Sequence, residues 1–418
     1  PYPHVVNQKQ GSFPLNRNVQ LNDATDNKAL RQFLADNGCT TSNDAEAKVS
    51  VTITDNIEGA HDYTLAGFDN EAYTLDITDN AISIKAVTAI GVTRAVQTLT
   101  QLAEGYDDGA APELELVSIT DWPAFKLRGW MQDVGRSFLS VEELKKEIRL
   151  LSRFKVNVFH WHLTEKLAWR FQVNAYPELT ADRNMTRYPG KFYTQAECRE
   201  IEDYAAEHGI TVIPEIDMPG HSDVFTQAMG FDMQSTRGRT ALKKILDEVA
   251  ATFTRAPYIH IGGDEVSIQA GFLEEMAGYV RNTLHRKVLL WNPLMNKGIT
   301  SGIADMTQMW SANGKLVSGM PNIDCRYYYI NHFDVYADLV GIYKSNIYYA
   351  QQGSEEIAGT ITATWNDTKT ETETDIIRQN NQYANILASA ERAWKGGGKQ
   401  YIEQGGTTLP NSGEEYDE

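Results

Sequence analysis

The stretch Tyr258-Ile259-His260-Ile261-Gly262-Gly263-Asp264-Glu265 starts apolar, passes through two glycines and ends in two carboxylates. A short apolar run bounded by glycine predicts a strand buried on both faces, as parallel strands are. Seven other runs read the same way: residues 127–134, 156–163, 210–216, 287–291, 306–310, 325–330 and 360–365. Helical segments fall between several of them. Ser140 and Glu143 predict a capping box opening a helix through residue 155, with Leu144, Ile148 and Leu151 on one face. Thr194 and Glu197 predict another, closed by Gly209. Residues 242–253 and 375–394 also read as helices. Strands alternating with helices predict the α/β class, with a (β/α)8 TIM barrel over residues 122–400. A doubly wound sheet is the alternative, but no Gly-rich phosphate loop follows the first strand.

Working outward, all eight Trp lie between Trp122 and Trp394. That shift, with the helix-breaking Pro123, predicts a boundary near residue 121. Residues 1–121 are expected to form a small α+β domain, with strands at 48–54, 72–76 and 82–86 and a helix at 91–102. Residues 1–20 are expected to be a loose lead-in strand, and residues 401–418 an acidic tail. Lys and Arg number 38 against 56 Asp and Glu, a net charge of −18. Such a surface repels phosphate backbones and argues against a nucleic-acid partner. No apolar run approaches the roughly 18 residues of a membrane span. Cys39, Cys198 and Cys325 are too scattered for a disulfide framework or a zinc site. The sequence starts at Pro1 with no leader in view, and export (periplasmic, cell-surface or extracellular) is the expectation.

In a TIM barrel the C-terminal strand ends carry the chemistry. Here those ends supply Asp133 and Arg136, then His160, His162 and Glu165, then Glu215, Asp217 and His221, then Asp264 and Glu265. Later ends supply Trp291, Trp310, Tyr329, Asn331, Trp365 and Asp367. Tryptophan faces stack on a pyranose, while carboxylates and Arg bind its hydroxyls. Glycoside hydrolysis needs a carboxylic acid for the leaving oxygen and a negative group for the oxocarbenium-like centre. Successive strand residues point to opposite sides, so Asp264 and Glu265 converge only if the backbone bends, as Gly262-Gly263 permits. His160 and His162 offer an alternative metal pair, with His221 and His260 as candidate further ligands. No convincing complete ligand set emerges; no metal or cofactor is expected, and His160 is read as structural. Trp122, Trp130 and Trp169 are read as packing.

The segments 128–136, 157–163, 214–221 and 260–265, in that order, closely resemble glycoside hydrolase family 20, the β-N-acetylhexosaminidases. The resemblance covers nearly the whole chain, including Gln97 to Leu102 and Ala390 to Trp394. It implies an exo-acting, retaining mechanism in which the substrate's acetamido oxygen is the nucleophile. In that mechanism Glu265 is the acid and then the base, and Asp264 orients the acetamido group. Tyr329 bonds the acetamido oxygen, and His221, backed by Glu165, sets the protonation of Glu265. Trp291, Trp310 and Trp365 wall the pocket. Arg136, Asp367, His162 and Asn331 complete the substrate contacts. The partner implied is a glycan with terminal β-linked GlcNAc or GalNAc. Glu165 stands where the family most often has Asp, Asp367 where it most often has Glu, and Asn331 where many members have Asp. The segments after His221 and Glu265 look short for the family, which implies an open cleft removing one terminal sugar.

Overall fold

The computed structural model describes residues 1–104, 112–331, 337–379 and 382–402, with the side chains of 331–338 and 377–383 outside that description. Eight strands close a parallel barrel: Leu127–Asp133, Val158–His162, Thr211–Glu215, Tyr258–His260, Lys287–Asn292, Met306–Met309, Asn322–Asp324 and Ile357–Trp365. Closure is by Ile357–Trp365, which pairs with both the first and the seventh strand. Alternation along each strand sorts its side chains. Leu127, Met131, Val158, Ile213, Leu289, Ile361 and Ala363 fill the interior. Trp130, Phe159 and Val288 face the surrounding helices. The site lies at the strand ends, where alternation stops.

Most expected barrel strands appear within a few residues of their expected ends, but the seventh differs. Its expected span, 325–330, is a run of β-formers, yet the barrel uses Asn322–Asp324. Asp324 is buried and accepts from Arg326 Nε at 3.0 Å and Tyr401 Oη at 2.6 Å. The chain then turns, with Tyr328 N–H on Cys325 C=O at 3.2 Å. Tyr329–Asn331 forms a separate short strand beside Ile357–Trp365. Ser140 caps Val141–Arg153, but its own N–H donates to Glu373 at 3.0 Å rather than to Glu143, so the expected capping box is half made. Thr194 and Glu197 make theirs in full. Over the expected helix at 375–394 the described residues form Glu373–Gln379 and Gln382–Lys395.

Ahead of the barrel lies a seven-stranded mixed sheet, ordered Val5–Pro14, Glu113–Asp121, Tyr73–Thr78, Ala81–Ala86, Ala47–Ile53, Asn18–Asp23, Thr40–Thr41. The expected loose lead-in is therefore two sheet strands. Val5–Pro14 is a mostly exposed edge, so it carries no apolar alternation to betray it. Helix Lys28–Asp36, capped by Asn27, and strand Glu113–Asp121 add to the expected elements. Buried charge joins this sheet to the barrel. Glu71 pairs with Arg94 and Arg128, each at 2.6 Å. Asp121 accepts from Lys155 Nζ and Trp394 Nε1, both at 2.9 Å. Tyr401, expected in the tail, is buried, and residues 403–418 lie outside the described residues.

Candidate active site

The fourth barrel strand stops at His260, and the chain bends at once. Gly262 and Gly263 take φ 64° and 106°, open to glycine and strained for other residues. A Cβ at Gly262 would lie 1.6 Å from Asp217 Oδ1, so glycine is also needed for space. Glu265 and His221, neither glycine, sit at φ 56° and 47°. Such strain persists only where the surroundings over-determine it, and it clusters at working sites. The bend brings both carboxyls to one imidazole: His221 Nε2 is 3.1 Å from Glu265 Oε2 and 3.6 Å from Asp264 Oδ2. Burial raises the Asp264 carboxyl to about 6, against the pull of His221. Asp217 lies beside it and is raised well above the usual range by burial and by Asp264.

Glu165 is the hub behind His221. Its Oε1 accepts from His221 Nδ1 at 2.7 Å and from Arg136 Nη2 at 2.6 Å. Burial opposes its charge, but His162 at 3.7 Å, the hydrogen bond from His221 and the Arg136 charge hold it well below the usual range. Burial likewise opposes the His221 cation, yet the bond to Glu165 and the Glu165 charge carry it up to about 10. That shift favours the His221 cation, whose two ring nitrogens both face carboxylates. Arg136 also pairs with Asp133 at 2.9 Å and Asp367 at 3.3 Å, and lies over the Trp365 ring at 5.1 Å.

A second buried network lies below. Glu215 is level with His162 and His260 in the strand register. It accepts from His162 Nδ1 at 2.5 Å, His160 Nε2 at 2.8 Å and Trp291 Nε1 at 2.7 Å; His260 Nδ1 stands 3.2 Å away and accepts from Gly262 N–H. Burial opposes its charge, but His162, His260 and His160 hold it far below the usual carboxylate range. His160 is buried and bonds Glu215 through Nε2. The groups His160–Glu215–His260 and Asp217–His221–Asp264 are compact enough to hold an ion, a proximity the strand-by-strand reading missed. In the first group His160 Nε2 bonds Glu215, and His260 Nδ1 accepts from Gly262 N–H at 3.0 Å.

Aromatic rings complete the site. Trp365 lies 5.9 Å from both Trp291 and Tyr329, and 5.0 Å from the edge-on His162. Trp365 and Tyr329 are half-buried, whereas Trp291 is 1% exposed and forms the floor beneath Trp365. Burial pushes the Tyr329 phenol well above its ordinary value, keeping it a hydrogen-bond donor. Trp310 donates Nε1–H to Pro293 C=O at 2.9 Å. Asn331 has a described backbone, but its side chain lies outside the described residues.

Residues 1–122 match the model of glycosyl hydrolase family 20, domain 2, and residues 125–238 match that of the family 20 catalytic domain. A beta-hexosaminidase of Porphyromonas gingivalis is 39% identical over 47% of this chain and 29% of its own length. A beta-N-acetylhexosaminidase of Cellulomonas fimi is 32% identical over 58% of this chain and 54% of its own. The chain thus spans from under a third to about half the length of these curated relatives. The beta-N-acetylhexosaminidase of Bacteroides fragilis superposes with a TM-score of 0.81, at 27% identity over 97% of this chain and 92% of that one. Two models of one family, end to end, cover more than half of the sequence, and the chain belongs to glycosyl hydrolase family 20.

Proposed function

We propose that this chain is an exo-acting β-N-acetylhexosaminidase that removes terminal β-linked GlcNAc or GalNAc with retention, using the substrate's acetamido group as nucleophile. The observation that carries the reading is the convergence of Asp264 and Glu265 on one nitrogen of His221, at 3.6 and 3.1 Å. A retaining pair of carboxylates stands about 5 Å apart across the scissile bond. Adjacent carboxyls sharing one imidazole lie on one side, which leaves the other side to a nucleophile within the sugar. Hexosaminidase relatives over half the chain support the same substrate class.

In this reading Glu265 protonates the leaving oxygen and later takes a proton from water. His221, 3.1 Å away, holds the Glu265 carboxyl in place. Asp264, as its anion, holds the acetamido N–H and balances the charge of the oxazolinium ring. Tyr329 donates to the acetamido oxygen, and Trp365 faces the sugar with Trp291 beneath and Trp310 beside. Arg136, held by Asp133, Glu165 and Asp367, binds ring hydroxyls; His162 and Asn331 line the same side. Residues 1–121 act as a supporting domain, and the protein works after export. The test is nitrophenol release from aryl GlcNAc and GalNAc, with and without chelator, and the anomer of the first-formed sugar. Retained β-product with chelator-resistant turnover is expected. No turnover, inversion, or loss with chelator overturns the reading, and release of a disaccharide from an oligosaccharide overturns exo action.

A further inference from the structure

The segment after Glu265 has no ladder to hold it. Residues 265–270 lie in no strand or helix, between Tyr258–His260 and Phe272–Asn282. Only one apolar side chain there, Ile268, is buried in the core. Yet Glu265 keeps a left-handed backbone, which needs firm neighbours.

Two side-chain amides from distant loops supply the pairing. Asn296, after the fifth barrel strand, accepts from Ile268 N–H at 3.0 Å and donates to Ile268 C=O at 3.2 Å. Gln234, just before helix Thr236–Thr252, accepts from Gln269 N–H at 2.6 Å and donates to Ser267 C=O at 3.1 Å. Four main-chain groups on three consecutive residues are thus paired, much as a neighbouring strand would pair them. A carboxamide carries its donor and its acceptor on separate atoms, so one side chain pairs an N–H and a C=O at once.

We propose that Asn296 and Gln234 are positioning residues for the acid/base Glu265: the paired amides clamp the segment after it and fix where its carboxyl meets the leaving oxygen. The inference rests on the hexosaminidase reading above. Asn296 is exposed and Gln234 half-buried, so alanine at either removes the clamp without opening the core.

The test is kcat and KM of Asn296→Ala, Gln234→Ala and the double variant on two aryl GlcNAc substrates. The phenyl glycoside needs its leaving oxygen protonated; the 2,4-dinitrophenyl glycoside needs little help. On the phenyl glycoside each single variant should lose about tenfold in kcat and the double about a hundredfold, within the range of general acid catalysis. On the dinitrophenyl glycoside the loss should stay under about threefold, because the acid contributes little there. Equal losses on both glycosides, or none on either, overturn the clamp. A wild-type chain that cleaves neither glycoside sinks the underlying reading instead. If the Asn296 variant melts early, Gln234→Ala and its partial rescue by Gln234→Glu, which keeps the acceptor, decide the matter.

Discussion

Replacing Glu165 by Gln tests the hub directly. The carboxylate has no solvent exposure and faces three basic side chains: Arg136 at 2.6 Å, His221 at 2.7 Å and His162 at 3.7 Å. Removing one partner of a buried ion pair costs about 3–5 kcal/mol. Arg136 keeps Asp133 and Asp367, and Gln can still accept one hydrogen bond, which favours the lower end. Unfolding entropy of about 2.1 cal/mol/K per residue, over 418 residues, gives about 0.9 kcal/mol per degree. The variant should therefore melt roughly 3–6 °C lower, if the chain unfolds as one unit.

The pH dependence is the sharper part. His221 rises from 6.5 to about 10 on folding, so its contribution is complete below 6.5 and fades as pH climbs through about 10. Glu165 falls below its ordinary 4.5, so its contribution is complete above 4.5 and fades as pH drops through the folded value. The pair is worth most between those ordinary values. Calorimetric melting of wild type and Glu165→Gln from about pH 4 to pH 10 should show the widest gap near about pH 5.5 and a narrowing one toward alkali. A gap that is constant, or widest at high pH, refutes the hub.

Other expectations follow from the same contacts. Glu265→Gln and Asp264→Asn should each lower kcat by about two decades or more in the aryl assay, as loss of acid catalysis or charge stabilisation does. Near-full activity of Asp264→Asn would end the substrate-assisted reading. Because burial raises Asp264 to about 6 and the mechanism needs its anion, kcat/KM should fall as pH drops through that value. A pH–rate profile without that acid limb would count against Asp264 as the charge that matters. Gly262→Ala forces a Cβ to 1.6 Å from Asp217 Oδ1 at φ +64°, so it should yield little folded protein. A variant that melts like wild type would show the bend to be dispensable.

The barrel was legible because parallel strands buried on both faces leave continuous apolar runs, and seven of eight such runs became barrel strands. The eighth misled for a physical reason. Residues 325–330 have the composition of a strand, but buried Asp324, bound by Arg326 and Tyr401, ends the barrel strand before that span begins and turns the chain. Tyr401 lies 77 residues away in sequence, so no local pattern announces it. The edge strand Val5–Pro14 was illegible for the opposite reason: it buries too little to need alternation.

In the site, legibility tracked whether a residue is placed by strand order or by contact. Each strand end points its last side chains at the mouth, so Arg136, His221, Asp264, Glu265 and Trp365 could be gathered by counting strands. Glu215 was in view as well, but its meaning lay in register: His162 and His260 stand opposite it, and three histidines then converge on one carboxylate. Register between parallel strands depends on how connecting helices pack, which periodicity does not encode. Gln234 and Asn296 were beyond reach for a further reason. Each is one amide in an irregular loop, and neither periodicity nor charge marks it. Only the folded chain, where Ile268 and its neighbours find no strand to pair with, shows why an amide must stand there.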